Sequence, residues 1–254
     1  MLSRSIFSLL LFACLFAACR KQPDPVVSVP GNVGNMRIEI TNQVGFKNLV
    51  LNNVWYLNAN GDSFKVTTYK YYVSNISLTR EDGEEIWLPD TYFLVDASKP
   101  ESSFLPLSNV PAGHYKALSF LIGVDSLHNT TGAQQGALDP ALGMIWTWNT
   151  GYIMAKMEGI SPSSPAANKL LSFHIAGFKG EYNVLHRVTL SFPTLATVGD
   201  GYVPNVHLKN DLAQWFYDPR VIDFSTIYNV MSEGPAALRM SLNYRDMFSV
   251  EHID

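Results

Sequence analysis

Tyr182-Asn183-Val184-Leu185-His186-Arg187-Val188-Thr189-Leu190-Ser191-Phe192 places Tyr182, Val184, His186, Val188, Leu190 and Phe192 at every second position. That period is what a half-buried β-strand requires, because successive side chains leave the pleat on opposite faces. Working outward, the same signal recurs. Met36, Ile38 and Ile40 alternate with Arg37, Glu39 and Thr41, and residues 55–57 and 64–67 flank an Asn60-Gly61 turn. Further strands are predicted at 69–78, 86–88, 91–95, 114–124, 144–157 and 169–176, with an edge strand at 203–208. Helical spacing is confined to the end, where Pro235-Ala236-Ala237-Leu238-Arg239-Met240 leads into Leu242, Tyr244, Met247 and Phe248. Many short strands with frequent turns predict an all-β fold. The expectation is an antiparallel β-sandwich, a single domain over residues 36–254, with a short C-terminal helix.

The first residues read as a targeting segment. Arg4 precedes an apolar run, residues 6–16, that is too short to span a bilayer. It ends in Phe16-Ala17-Ala18-Cys19, small residues before a cysteine, which resembles the lipobox of exported lipoproteins. Residues 1–18 are therefore expected to be a signal peptide, Cys19 the lipid anchor, and residues 19–35 a tether. With no retention aspartate after Cys19, the outer membrane is the expected location, on its periplasmic or cell-surface side. Cys14 and Cys19 are the two cysteines of the chain, so the expected mature domain has no disulfide and must rely on its core. A composition 47% hydrophobic and 12% aromatic can supply one. Once Arg4 is removed, 17 basic residues stand against 22 acidic ones, a formal charge of −5. That mild balance, without a basic stripe, argues against nucleic acid as a partner.

Chemistry concentrates in one region. Residues 125–143 form a polar, Gly-rich excursion between two strong strands, and loops of that length usually work or are disordered. They feed Trp146-Thr147-Trp148, whose indoles would share one face of a strand about 6.5–7 Å apart. Such a pair could be core, a sugar platform or a redox-active couple. The six histidines, His114, His128, His174, His186, His207 and His252, lie in no local metal motif, so a metal site would assemble across strands. His174 has the opposite parity to Phe173 and Ile175, whereas His186 lies on an apolar face, as a core histidine would. There is no G-x-S-x-G elbow and no phosphate-cradling loop between a strand and a helix.

The run from Phe120 to Ser126, then Gly132-Ala133, residues 136–140, Gly143-Met144, Trp146-x-Trp148 and Gly151-Tyr152, resembles the MbnP-like family. Lys156-x-Glu158-Gly159, Phe173-His174-Ile175-x-Gly177-Phe178 and the segment from Val230 to Phe248 continue the likeness, which is to its Bacteroidetes lipoprotein branch. The resemblance implies a periplasmic copper-binding protein that is not an enzyme. It also implies a partner, a di-haem cytochrome c peroxidase-like enzyme, that oxidises a tryptophan of the W-x-W motif to kynurenine. Indole has no lone pair to offer a metal, whereas the aniline nitrogen of kynurenine does, and with imidazole it suits copper. Trp146 and Trp148 match the modified motif, and His174 matches the imidazole ligand. The methanobactin-associated branch carries cysteines that are absent here and an Asn-His pair before the tryptophans; here the order is His128-Asn129. A second imidazole would come from His128 or His252. The competing expectation is a glycan- or protein-binding sandwich that uses the aromatic pair as a platform.

Overall fold

The computed structural model describes residues 32–132, 134–146, 151–199 and 201–254. The signal segment, Cys19, the tether up to residue 31 and Trp148 lie outside the described residues. Two sheets build the fold. In the larger, the strand order is His186–Val198, Gly113–Ile122, Ser63–Arg80, Ala155–Ile160, Leu170–Ile175 and Asn229–Val230. Tyr56–Leu57, Glu85–Trp87 and Tyr92–Asp96 also pair with Ser63–Arg80. In the smaller sheet the order is Phe248–Ile253, Asn205–Asp211, Val33–Val44 and Lys47–Asn48, with Phe104–Pro111 pairing Val33–Val44.

The alternating segments are borne out unequally: residues 180–182 form a 3-10 turn, the strand read from Tyr182 begins at His186, and its Val188, Leu190 and Phe192 are half-buried. Met36, Ile38 and Ile40 are closed to solvent, each worth about 1.5–3 kcal/mol of burial before the entropy of ordering is set against it. Ser63–Arg80 is the spine of the molecule, one 18-residue strand where the sequence suggested two. Its odd-numbered Tyr69 and Tyr71 face the smaller sheet. Tyr71 and Phe120 meet Phe248 at ring separations of 5.7 and 5.0 Å. The Tyr69 and Tyr71 hydroxyls donate to Asn210 (2.7 Å) and Asn42 (2.8 Å), so neither buried phenol is left unpaired. Tyr72 points the other way and packs edge-on against Tyr152 at 5.7 Å. The spine is therefore covered on both faces, on one by the second sheet and on the other by the 125–143 excursion.

The sandwich stands, but its sheets are mixed. Residues Arg37 to Gln43 run parallel to Asn205 to Asp211, and Ser172-Phe173 parallel to Asn229-Val230. The strand read near 203–208 is not an edge: Asn205–Asp211 has Val33–Val44 on one side and Phe248–Ile253 on the other. The helix is Pro235–Tyr244, seated through Ala237, Met240 and Tyr244, and Tyr244 lies 5.0 Å from the Trp215 ring. Phe248, assigned to that helix from its spacing, instead opens the last strand. No helix among the described residues is long and apolar enough to cross a membrane.

Candidate functional site

The expected strand over 144–157 is not continuous. Ile145 pairs antiparallel with Tyr152, so the chain reverses between them, and the regular strand begins at Ala155. Trp146 is 6% exposed, and its placement beside Trp148 on one straight strand falls outside the described residues.

The excursion clamps this hairpin. Asp125 caps the short helix Ser126–Thr130, accepting from the backbone N–H of Leu127 and His128. Inside that helix Asn129 is buried, and its amide bridges two segments. Nδ2 donates to the carbonyls of Val124 and Asp125, while Oδ1 accepts the Tyr152 N–H at 2.7 Å. Gly151 is required there: at φ +98°, a Cβ would sit 2.7 Å from Asn129 Oδ1 and 3.0 Å from the Phe178 ring. The Tyr152 hydroxyl donates back to the Leu138 carbonyl at 2.6 Å, and Lys70 Nζ reaches the Leu142 carbonyl at 3.3 Å. The described residues of the excursion are thus held by burying Leu138 and by bonds from Tyr152 and Lys70 to its carbonyls.

Two imidazoles lie in this region, each with one nitrogen committed to a carboxylate. His174 is in register with Lys156, and Lys156 with Lys70 in the next strand, so all three share the face that the excursion covers. Its Nε2 donates to Glu158 Oε1 at 2.8 Å, because an ionised carboxylate only accepts. The hydrogen bond from His174, opposed by burial and helped by Lys156 at 3.3 Å, holds the Glu158 carboxyl at about 2. That fixes the His174 tautomer. Its Nδ1 is buried and has no hydrogen-bond partner among the described residues, which leaves a directed lone pair inside the protein.

His128 repeats the arrangement at the helix. Tyr92 Oη donates to Asp125, and His128 Nδ1 lies 2.7 Å from Tyr92 Oη and 3.1–3.2 Å from both Asp125 oxygens. With the phenol hydrogen spent on Asp125, the proton between these groups belongs to Nδ1, and Nε2 carries the lone pair. Burial raises the Asp125 carboxyl, but the bonds from Tyr92, Asn75 and His128 outweigh it and hold it at about 2. Burial and the Asp125 charge push the Tyr92 hydroxyl well above its ordinary range.

The excursion therefore ties His128 to the Trp146 hairpin through Asn129. Lys156, the register partner of His174, follows Tyr152 by four residues, a Cα span of at most about 14 Å. His252 stands apart on the smaller sheet, stacked on His207 with ring centroids 4.1 Å apart. His186 is half-buried; its Nε2 donates to Ser241 Oγ at 3.0 Å, since that hydroxyl gives its own hydrogen to the Leu238 carbonyl, and its ring rests against Tyr244. The sequence reading did not find Glu158, Asp125 and Tyr92 as tautomer-setting partners. Glu158 could have been found, since it shares parity with Lys156 on the strand next to His174.

A family model described as MbnP matches residues 33–232. Among solved structures, MbnP from Methylosinus trichosporium superposes with a TM-score of 0.51 at 16% identity, covering 81% of this chain and 84% of that one, a likeness of fold. None of the curated proteins matches.

Proposed function

The chain belongs to the MbnP family, and on that premise we propose that it is a copper-binding lipoprotein, not an enzyme, held at the outer membrane through Cys19. The observation that carries this reading is the His174–Glu158 pair. A histidine that gives one N–H to a carboxylate and keeps the other nitrogen bare is how proteins prepare an imidazole for a metal. The buried, unbonded Nδ1 of His174 is such a nitrogen, and Nε2 of His128 offers a second. These residues fit copper as imidazole donors, and copper would be held by His174 with His128 and a further nitrogen from the W-x-W segment.

Trp146 and Trp148 cannot supply that nitrogen as indoles. We therefore infer that a di-haem cytochrome c peroxidase-like partner converts one of them to kynurenine, with the partner taking the electrons. The indole C2–C3 bond breaks as water supplies two oxygens and four electrons and four protons leave, the electrons to the partner; hydrolysis then releases C2 as formate, a net change of about +4 Da. At 6% exposure, Trp146 would give up its electrons through the protein to a docked partner and not by meeting an oxidant directly. The same burial counts against the platform alternative, since a sugar needs an open ring face.

Mass spectrometry of protein from the native host, with and without the partner, tests the proposal. One kynurenine should appear only with the partner, and copper affinity should rise with it. His174→Ala should weaken copper about ten- to a hundredfold. Unmodified tryptophans in cells that express the partner, or copper affinity indifferent to His174→Ala, would remove the reading. Cys19→Ala should release the chain from the membrane fraction.

A further inference from the structure

The smaller sheet carries a second cluster of metal-competent side chains. Its geometry follows from strand register. Glu39 is opposite His207 across the parallel pair, and His207 is opposite His252 across the antiparallel pair. Three strands thus present one polar row on one face, while Ile38, Val206 and Leu208 point inward. Asp254 follows His252 at the next same-side position and is bonded, backbone to backbone, to Asn205.

The side chains converge. The ligand atoms of His207, His252 and Asp254 all lie within 4.8 Å of one another. The two imidazoles are stacked at 10°, and because each lone pair lies in its ring plane, a shared ion requires the exposed His252 ring to turn out of the stack. Proton placement in this cluster leaves a contact that a cation would relieve. Asn205 Nδ2 donates to Glu39 Oε2 at 3.1 Å, which fixes the orientation of the amide, and the same Nδ2 lies 2.8 Å from His207 Nε2. Nε2 must then accept, so the imidazole proton sits on Nδ1, facing Glu39 Oε2 at 3.6 Å. Nε2, whose lone pair takes the Asn205 amide, also lies 2.9 Å from Asp254 Oδ1, acceptor against acceptor, a contact that a cation displacing that amide would relieve. With bonds of about 2.0–2.2 Å, neighbouring ligands on one ion lie about 3 Å apart at right angles and about 3.4 Å apart in a tetrahedron, so small adjustments would seat an ion here.

We propose that His207, His252 and Asp254 form a binding site for a divalent transition ion of the zinc and copper class, which would displace the Asn205 amide from His207 Nε2. Two imidazoles and one carboxylate are a donor set that suits such ions. The site is separate from the Trp146 region. Asp254 borders a cleft with Thr194, Thr197 and Tyr202. Thr197 pairs with His114 at the start of the Gly113–Ile122 strand, and the 125–143 excursion leaves from its other end, roughly 30 Å away. The inference does not depend on the proposed copper function.

Zn2+ is the probe, because it needs no oxidised tryptophan. Calorimetric titration of the full mature chain, expressed without any partner enzyme, should show one equivalent bound. His252→Gln, an exposed change with little risk to folding, should weaken binding about a hundredfold, and Asp254→Asn about tenfold. His174→Ala should leave Zn2+ binding unchanged. Absence of Zn2+ binding, binding that survives His252→Gln in a folded protein, or loss of the equivalent in His174→Ala would each overturn the proposal.

Discussion

Replacing Asn129 by Ala should loosen the clamp between the excursion and the Trp146 hairpin. Asn129 is 5% exposed and makes three hydrogen bonds through its side chain. The Asp125 carbonyl keeps a partner, the Asn129 N–H at 3.0 Å. The Tyr152 N–H does not, and Tyr152 is 2% exposed. One stranded buried donor costs about 1–3 kcal/mol, and the two lost donations add about 0.5–1.5 kcal/mol each, so a total near 3 kcal/mol is expected. Denaturant unfolding should show the midpoint falling with an unchanged slope. Amide exchange at Tyr152 should quicken about a hundredfold, since each 1.4 kcal/mol is a factor of ten. Gly151→Ala in the same background should cost less than in the wild type, because the 2.7 Å clash with Asn129 Oδ1 is gone while that with Phe178 remains. A loss below about 0.5 kcal/mol with Tyr152 exchange unaltered would show that the excursion is not held by this residue.

Two other outcomes follow from the geometry. Asp125 and Glu158 titrate at about 2 when folded, below their ordinary 3.8 and 4.5. The unfolded chain therefore takes up protons first as pH falls, so the stabilisation is whole above about pH 4.5 and is lost between there and pH 2. Asp125 should account for about 2 kcal/mol and the more exposed Glu158, screened by solvent, for about 1–2 kcal/mol. Asp125→Asn and Glu158→Gln should each flatten the acid limb of a melting-temperature profile, and a limb of unchanged slope in both variants would contradict the assignment. Gly159→Ala would put a Cβ 2.1 Å from the Lys65 carbonyl oxygen and force the two strands apart. A loss of about 3 kcal/mol is expected, read as a drop of roughly 6–12 °C in a thermal melt; a change under 2 °C would refute it.

Period-two alternation carried the fold, because the pleat imposes it wherever one face is covered, fully at Met36, Ile38 and Ile40 and partly at Val188, Leu190 and Phe192. It could not carry direction. Nothing in Asn205-Val206-His207-Leu208 says that its neighbour lies some 170 residues earlier and runs parallel. Alternation also failed at Met144 to Met157, where apolar residues continue through a chain reversal that Gly151 permits. The Phe248–Ile253 strand was hidden because Met247 and Phe248 extend the helical spacing of the preceding segment. In the candidate site, His174 and the excursion were legible through residue type and resemblance. The carboxylates that set the imidazole tautomers were not, since cross-strand register decides them and register is a tertiary fact.

The parallel pairing of Val33–Val44 with Asn205–Asp211 also has a consequence in time. The contact between Gly45 and Asp211 spans 166 residues. At 5–20 residues per second of synthesis, on the order of 10–30 s separates the appearance of the two partners. Through that interval one flank of the first strand has nothing of its own to bond to, and its Met, Ile and Val side chains await a floor. Closing so large a loop is slow even once both ends exist, which places this protein among slow folders for its size. An unpaired, β-branched edge is also a template for a neighbouring chain, so crowding of nascent copies should be the stage at which yield is lost. The first strand to be made is among the last to be secured.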